Sequence, residues 1–382
     1  MVTEYNIEPN AVLTSPLSLE SGSDLEYKAP NLVQRLLSLF KNVRPGSNLT
    51  QFQLPPLFNL PKSQLQCFGE SLYCVGDDML SKCIDGKSPL ERFAAVVGWS
   101  ISTTRPAIFG VAPFNPILGE THHVSRGNLN VMLEQVSHHP PVTALHATDE
   151  TKNVETIWCH NIIPKFYGTS IEAVVYGKRK LKLSSYDENY VMNAPKLLIR
   201  FFPVPSADWV GNVTIRCKEI DLEAELCYKG PSLLGFRGNN RSIKGKIIES
   251  STSKTIFEIS GHWDRTVLIK DVMDGKTTII HDAKKSITKL NAPLLKDPKG
   301  LCSNESAVVW GEVSQAILRK EWEKARGAKN VVEEKERVLR RERECKGETW
   351  IPNHFTLSYS KEEGWDCTPK LTLVPPAPIV AP

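Results

Sequence analysis

The sequence predicts an α+β fold that is mainly β, in which one large curled antiparallel sheet carries helices before and after it. Short segments with strand periodicity follow one another from Leu129 to His281, separated by turn signals such as Asp274-Gly275 and not by helices. Such strands pair as an antiparallel meander. Because an open twisted sheet rarely exceeds about ten strands, we expect this one to curl into a barrel. A barrel of that size is too wide for its own side chains to fill, so it must hold a ligand, a plug or water.

The composition is that of an ordinary globular protein and excludes a wholly disordered chain. Hydrophobic residues make up 41% and charged residues 24% of the 382 residues. The net charge of +4 is too small to indicate nucleic-acid binding by itself. No apolar run approaches the roughly 18–20 residues of a membrane span, and the first residues lack the pattern of a signal peptide. The nine cysteines lack a CxxC spacing. We therefore expect a cytosolic protein with reduced cysteines.

The N-terminal region predicts a flexible leader over residues 1–29 and an amphipathic segment over residues 30–46. The apolar residues of this segment recur at helical spacing, with Leu32, Leu36, Leu37 and Phe40 among them. Asn31 is expected to cap the helix, and Arg44-Pro45-Gly46 to end the segment. Two interpretations fit: a helix packed permanently on the domain, or a mobile lid that also touches a membrane.

Helical patterns flank the predicted sheet. An extended, proline-broken stretch over residues 48–62 precedes helices at 63–83 and 89–104, and a helical region over residues 300–346 follows the strands. Gly327 is expected to separate two helices there, while Gly177 and Gly230 are expected to mark turns of the meander. Residues 357–382 are expected to form a C-terminal tail with a proline-rich end.

The most informative stretch runs Glu134-Gln135-Val136-Ser137-His138-His139-Pro140-Pro141-Val142-Thr143-Ala144. Neighbours on a strand point to opposite faces, so His138 and His139 are poor ligands for one metal, and no spacing supports a site with Glu120. The two prolines stiffen the turn, and a rigid pair of imidazoles can offer N–H donors to an anion. A pair of hydrogen-bonded structural histidines is the alternative.

This string resembles the signature of the oxysterol-binding-protein-related family of lipid-transfer proteins. Four further stretches resemble family motifs: Asn115-Pro116-Ile117-Leu118-Gly119-Glu120, Ile259-Ser260-Gly261-His262-Trp263, Glu333-Glu334-Lys335-Glu336-Arg337 and Trp350-Ile351-Pro352-Asn353-His354-Phe355. The resemblance indicates a lipid-binding domain over residues 47–356 and is strongest toward the short plant members of the family.

The resemblance implies an incomplete antiparallel β-barrel around an apolar tunnel that is closed by the N-terminal helix. One lipid would lie inside, either a sterol or phosphatidylinositol 4-phosphate with its head group at the entrance. Leu32, Leu36, Leu37 and Phe40 of the lid would face this lipid. The protein would be no enzyme and would need no cofactor besides its lipid cargo.

The resemblance also assigns a head-group site at the tunnel entrance. His138, His139 and Asn115 would contact phosphate, and both imidazoles reach one phosphate only if the strand is bent. Lys329, Glu333 and Arg337 share one helix face, because four residues turn a helix by about 400°. The two cations would meet phosphate, while Glu333 would accept inositol hydroxyls or orient a cation. Ala112 stands where the family usually has a lysine, so Arg105 or Arg126 would compensate, or the site would favour another lipid.

These expectations lead to one leading function and several rivals. The leading function is non-enzymatic transfer of sterol between membranes, in exchange for phosphatidylinositol 4-phosphate. The rivals are a lipid sensor or scaffold that gates a protein partner, transfer of another phospholipid, and a hydrolase using His138 with Glu120 or Ser137. The expected partners are the lipid, anionic membranes touched transiently at organelle contact sites, and an endoplasmic-reticulum adaptor protein; no nucleic acid is expected.

Overall fold

A computed structural model of the protein describes residues 13–20, 31–230 and 241–382. The helices are α1 (Leu32–Phe40), α2 (Gln64–Tyr73), α3 (Met79–Asp85), α4 (Pro89–Ser102), α5 (Ala283–Ser286), α6 (Ser306–Val309), α7 (Gly311–Leu318) and α8 (Trp322–Lys346). The strands are β1 (Asn59–Ser63), β2 (Ala112–Phe114), β3 (Thr121–Arg126), β4 (Leu129–His138), β5 (Pro141–Asp149), β6 (Val154–Phe166), β7 (Ser170–Leu183), β8 (Glu188–Met192), β9 (Lys196–Arg200), β10 (Ser206–Cys217), β11 (Leu222–Lys229), β12 (Ser242–Glu249), β13 (Thr255–His262), β14 (Thr266–Asp271), β15 (Thr277–Asp282), β16 (Leu294–Leu295), β17 (Phe355–Ser360), β18 (Gly364–Pro369) and β19 (Ile379–Val380).

One sheet of 15 strands dominates the described residues. Its order is β15-β14-β13-β12-β11-β10-β8-β7-β6-β5-β4-β3-β19-β16, and β9 pairs with both β10 and β7. Apart from β9, neighbours from β3 to β15 follow chain order and pair antiparallel, as a meander requires. The end strands β15 and β16 do not close on each other, so the barrel is incomplete. The predicted fold class is therefore confirmed.

Strand β7 is longer than the sequence predicts, because Gly177 lies inside it and not at a turn. Gly177 has a positive φ of 100° and stands opposite His160 of β6. A Cβ at this position would lie 1.9 Å from the carbonyl oxygen of Cys159. The glycine thus allows a close backbone approach within a continuous hairpin, and the prediction of a turn at Gly177 is wrong.

Helices α2 to α4 fill one end of the interior of the sheet. Leu65 of α2 and Phe93 of α4 join one continuous core with residues of β10 to β14, such as Ala224, and with Trp263 of the turn between β13 and β14. Leu65 and Phe93 are fully buried there, and the Phe93 ring lies 5.9 Å from that of Tyr190. We call this region the packed end of the molecule.

The C-terminal helices break at a different place from the one predicted. α7 ends at Leu318, Lys320 adopts a positive φ of 61°, and α8 then runs for 25 residues straight through Gly327. A left-handed residue interrupts helical hydrogen bonding, whereas a single glycine within a helix costs only about 1 kcal/mol. The prediction that Gly327 separates two helices is therefore wrong.

Both chain ends contribute to the fold where they are described. The backbone N–H groups of Leu13 and Leu19 donate to the carbonyls of Pro293 and Ile287, at 2.9 and 3.0 Å. Residues 13–20 are thus held against the domain, unlike the predicted flexible leader, whose remaining residues lie outside the described part. The predicted tail also differs from expectation, because residues 357–382 complete the β17–β18 hairpin and supply β19, which pairs with β3.

Candidate functional site

A hollow of about 1150 Å³ lies at the other end of the sheet interior, which we call the hollow end. This volume exceeds the roughly 300–1,000 Å³ of typical small-ligand sites. The inward-facing residues Ile171, Ala173 and Val175 alternate along β7 and line it. Further apolar lining residues come from α1, the segment before β1, strands β6, β9 and β10, and the residue after β9: Leu36, Phe40, Leu49, Phe52, Leu54, Phe58, Ile162, Leu197, Ile199, Ala207 and Phe201.

Helix α1 covers this hollow as the predicted lid does. Leu36 and Phe40 line the hollow, and the Phe40 ring lies 5.2 Å from Phe166 and 5.8 Å from Phe201. Leu32 packs over Gly110, where a Cβ would come within 2.3 Å of the leucine side chain. Leu37, however, is 51% exposed, which differs from the prediction that it faces the lipid.

The start of the lid also differs from expectation. Asn31 adopts a left-handed conformation with φ of 57°, and its side chain makes no capping hydrogen bond. The helix is therefore held by packing of its apolar face, since a short isolated helix is marginal in water.

The two adjacent histidines stand together at the mouth of the hollow. Their rings lie 4.6 Å apart at 68°, and both side chains line the hollow. The register between β4 and β5 shifts between Gln135 and Ser137. Such an irregularity bends a strand and redirects its side chains, which explains how neighbouring residues reach the same space.

Both imidazoles are neutral near pH 7 in this arrangement. Nδ1 of His138 donates to the carbonyl of Pro116 at 2.9 Å, because a carbonyl can only accept. Burial, the adjacent His139 and Arg340 lower the pKa of His138 to about 4. Burial and Arg340, whose guanidinium nitrogen lies 3.2 Å from Nε2 of His139, likewise lower the pKa of His139. The Nε2 atom of each neutral ring is thus an acceptor. It becomes a donor only when the ring takes up a proton.

The predicted charged row of α8 faces the same mouth. Lys329, Glu333 and Arg337 all line the hollow. The Lys329 ammonium is buried, donates to the carbonyl of Leu54 and to Oδ1 of Asn59 at 2.9 Å, and lies 3.7 Å from Glu333. Burial lowers the pKa of Lys329, while Glu333 opposes that shift.

Arg337 is only partly buried, and it forms an ion pair with a residue of its own helix. Its Nε atom donates to Glu334 at 2.7 Å. Asn115 follows β2 and also lines the hollow, so all six predicted head-group residues line the same hollow. In the sequence, only the resemblance indicated that the histidine pair, Asn115 and the charged row of α8 belong to one site.

The cation that touches the histidines was not among the predicted compensating residues. Arg105 is buried and donates to the carbonyls of Glu70, Ser71 and Cys74 at the end of α2. Arg126 lies 3.9 Å from Asp78 and does not line the hollow. Arg340 does line it, one turn beyond Arg337 on α8, and the same helical spacing could have identified it.

A buried polar pair in the tunnel wall was also missed. Arg179 of β7 donates to Thr103 Oγ1 at 2.7 Å and to Ser100 Oγ at 3.0 Å, both on α4 or just after it. Burial and this guanidinium lower the pKa of His160 to about 3. Both side chains line the hollow, so its inner wall is not uniformly apolar.

Glu120, considered above as a metal ligand or catalytic partner, has a structural role. Its carboxylate accepts hydrogen bonds from Ser63 at 2.5 Å, Ser306 at 2.7 Å and the Trp310 indole at 2.8 Å. Burial raises the pKa of Glu120, and these donors oppose that shift. Within the described residues, no three His, Cys, Asp or Glu side chains are grouped to hold a metal ion.

The fold and the site define a class of binding protein, built around a lidded, largely apolar hollow with charged residues at its mouth. The chain belongs to the oxysterol-binding-protein family, because residues 35–316 match the family model described as oxysterol-binding protein. None of the described helices has the length and apolarity needed to cross a membrane.

Two plant relatives support this assignment. The chain is 51% identical to oxysterol-binding protein-related protein 4B of Arabidopsis thaliana, over 99% of this chain and 100% of that protein. It is 52% identical to protein 4C of the same plant, over 98% of this chain and 100% of that protein. The predicted likeness to short plant members is therefore confirmed.

Solved structures share the fold at low sequence identity. The Osh1 ORD domain in complex with cholesterol has a TM-score of 0.77 and 21% identity, with coverage of 96% of this chain and 91% of that one. The Osh3 ORD in complex with PI(4)P from Saccharomyces cerevisiae has a TM-score of 0.65 and 20% identity, with coverage of 94% and 91%.

Proposed function

We propose that this protein carries one sterol molecule in its tunnel from one membrane to another without changing it chemically. The observation that carries this proposal is the lidded, largely apolar hollow of about 1150 Å³. Hiding roughly 400 Å² of apolar surface is worth on the order of 10 kcal/mol, so spontaneous desorption of such a lipid is slow. A tunnel that replaces the bilayer interior lowers that barrier. The Osh1 structure named for its cholesterol complex supports sterol as the cargo.

We further propose that phosphatidylinositol 4-phosphate competes for the same tunnel with its head group at the mouth. Lys329, Arg337 and Arg340 would meet phosphate charge, and Glu333 would accept inositol hydroxyls. Arg340 would supply the cation that Ala112 does not. The Osh3 structure named for its PI(4)P complex supports this second cargo.

The histidines make phosphate binding a proton-coupled event in this proposal. An anion beside His138 would raise its pKa from about 4, so that Nε2 becomes a donor. Binding would then take up a proton, and this contribution to affinity would weaken as the pH rises from about 4 toward the pKa of the bound state. Replacing His138 by Gln should remove this pH dependence in a binding assay.

Transfer between two vesicle populations tests the proposal directly. The wild-type protein should move fluorescent sterol, and should extract phosphatidylinositol 4-phosphate. The double variant His138→Ala/His139→Ala should lose at least about ten-fold in phosphoinositide extraction because two head-group contacts are gone. Sterol transfer without phosphoinositide should remain, and His354→Ala, away from the mouth, should behave as wild type.

Other outcomes would redirect the proposal. A wild-type protein that moves neither lipid above background contradicts transfer. Stoichiometric binding with negligible transfer would indicate a sensor or scaffold, and a chemically altered lipid would indicate an enzyme. If the protein extracted a different phospholipid in preference to sterol and phosphatidylinositol 4-phosphate, that phospholipid would be the cargo.

A further inference from the structure

We infer that the hollow also binds an apolar molecule with a single carboxylate head, which lies head-first on Arg179 at the inner end of the hollow. Arg105, Arg179 and His160 form this site, here called the inner anion site. The inference rests on the proposed function only in taking the hollow as the place where a cargo lies. The cargo itself and the end at which its head lies are different.

The inner anion site contains the buried cations that lack a carboxylate partner. Five cationic side chains are buried in the described part of the chain: Lys62, Arg92, Arg105, Arg179 and Lys329. Three of them have a carboxylate oxygen 2.5 to 3.7 Å away. Arg105 and Arg179 have none among the described residues, although only 6% and 5% of their surfaces are exposed. Because an unpaired buried charge is strongly unfavourable, these two arginines indicate an anion that the chain does not supply.

Both guanidinium groups stay charged at pH 7. Burial lowers the pKa of Arg105 and of Arg179 to about 10, which is still well above neutrality. Glu70 attracts Arg105, but its carboxylate already accepts a hydrogen bond from Lys62 at 2.5 Å. Burial raises the pKa of Tyr228, so the phenol near Arg179 is uncharged. Two positive charges at the inner end of the hollow therefore remain unbalanced by the described groups around them.

Unused nitrogen atoms accompany these charges. Nε of Arg179, Nε and Nη1 of Arg105, and Nε2 of His160 are buried and have no hydrogen-bond partner among the described residues. All three residues line the hollow. The hydroxyl groups that Arg179 does contact, those of Thr103 and Ser100, are neutral. Buried polar atoms are nearly always hydrogen-bonded, so the four nitrogen atoms point to a ligand in the hollow.

Strand β6 gives the distance from the lid to the inner anion site. Phe166 of β6 contacts the Phe40 ring of the lid, and Trp158 of β6 pairs with Arg179. These two positions are eight residues apart, which is about 26 Å along a strand. Ile162 lines the hollow between them. An elongated apolar molecule beside β6 would thus have its head at Arg179 and its tail under the lid.

The inner anion site is also separate from the mouth. His138 pairs with Pro141, and the next residue of β5, Val142, pairs with Asn161 of β6. Trp158 lies three residues further from the lid, which is about 10 Å along the strand. A ligand head on Arg179 therefore occupies a different position from a head group at the two mouth histidines.

The chemistry of the site favours a carboxylate on an apolar body. A guanidinium binds a carboxylate through two parallel N–H donors. The Trp158 ring, 5.4 Å from the Arg179 guanidinium carbon, stabilises the cation but does not neutralise it. A hydroxyl can accept a hydrogen bond here but leaves both charges unbalanced. A small free anion gains no contact with the apolar wall of the hollow, whereas an amphiphile buries its chain there.

Direct binding of radiolabelled oleate tests the inference, with oleyl alcohol as the uncharged ligand of the same chain length. At pH 7 and below micelle-forming concentrations, the wild-type protein should bind oleate at least about ten-fold more tightly than the alcohol. Arg179→Met should lose this preference and still bind the alcohol. Arg179→Lys retains a charge without the planar fork, so it should keep part of the preference. Excess acetate should not displace oleate.

The variant Arg340→Met distinguishes the two ends of the hollow. Arg340 lies beside His139 at the mouth, so this variant should keep the preference for oleate over oleyl alcohol. A preference lost in Arg340→Met but kept in Arg179→Met would place the carboxylate at the mouth and overturn the inference. Equal wild-type affinity for oleate and the alcohol would overturn it too, and displacement by acetate would show a site for free anions only.

Stability without lipid gives an independent check by urea denaturation. Arg92 of α4 is equally buried but donates to both carboxylate oxygens of Glu188, at 3.1 and 3.0 Å. Arg92→Met leaves that carboxylate unpaired and should lower the urea midpoint clearly more than Arg179→Met does. An equal loss in both variants would mean that Arg179 already has an anionic partner in the chain, which contradicts the inference.

Sterol binding separates this inference from the proposed function. Wild-type protein that binds fluorescent sterol but not oleate would overturn the inner anion site and leave sterol carriage standing. Wild-type protein that binds oleate with the expected preference but no sterol would support the inner anion site and contradict sterol as the cargo.

Discussion

The packed end and the hollow end of the molecule are built from the same continuous sheet, yet one is solid and the other encloses about 1150 Å³. At the packed end, Phe93 and Leu65 of α4 and α2 belong to one continuous buried core that includes residues of β10 to β14. At the hollow end, the single short helix α1 covers the opening and contributes Leu36 and Phe40.

The difference teaches that strand patterning does not determine whether a barrel is filled. Ala173 of β7 and Ala224 of β11 are both small inward residues within alternating strands. Ala173 faces the hollow, whereas Ala224 is fully buried in the core. The helices that cross the interior decide between the two outcomes.

The largest expected effect is a loss of stability at the packed end. Phe93→Ala removes a fully buried ring and should lower the free energy of unfolding by about 3–5 kcal/mol, through lost burial and a cavity. Urea denaturation measures this change. The matched variant Phe40→Ala, on the lid, should cost clearly less, because its ring borders the hollow. Equal losses for both variants would contradict the distinction between the two ends.

A medium effect is expected from one substitution made at both ends. Ala224→Phe should destabilise the protein by about 1–3 kcal/mol, since a packed core has no room for a ring. Ala173→Phe should leave the free energy of unfolding within about 0.5 kcal/mol of wild type, because the ring enters the hollow. It should nevertheless reduce sterol binding, measured by fluorescence.

One outcome of these two substitutions would contradict the prediction. If Ala173→Phe destabilised the protein as much as Ala224→Phe and left sterol binding intact, the hollow would not be the cargo site.

The smallest expected effect concerns buried histidines, one at each end. His160 lines the hollow with a pKa lowered to about 3 by burial and Arg179, and His281 is buried near Trp263 with a pKa lowered to about 4, mainly by burial. The unfolded chain binds the proton at about pH 6.5, so stability is full above that pH and falls as the pH drops toward the folded pKa values.

Each histidine should therefore contribute about 1 kcal/mol to the loss of stability between about pH 8 and pH 6. His160→Gln and His281→Gln should each flatten the pH dependence by that amount in urea denaturation. An unchanged slope for His160→Gln alone would show that the hollow end is hydrated enough to protonate this residue freely.

Local sequence patterns predicted much of the architecture. The strand periodicity from Leu129 to His281 indicated the meander, and the apolar spacing of α1 indicated an amphipathic lid. The histidine string, through its resemblance to a family, pointed to residues that line the hollow. Each of these signals is contained in neighbouring residues, where backbone geometry sets the period.

The errors arose where distant residues decide the conformation. Gly177 could be placed in a strand only from the carbonyl of Cys159 on the next strand. Leu37 faces solvent because the aromatic cluster around Phe40 sets the rotation of α1.

The sequence by itself determined the curled antiparallel sheet and the amphipathic helix before it, because strand and helix periods are local properties of the chain. Only the tertiary structure decided which end of the sheet stays hollow and that Arg340 meets His139 from 201 residues away. These features depend on packing between distant segments, and no local period encodes that packing.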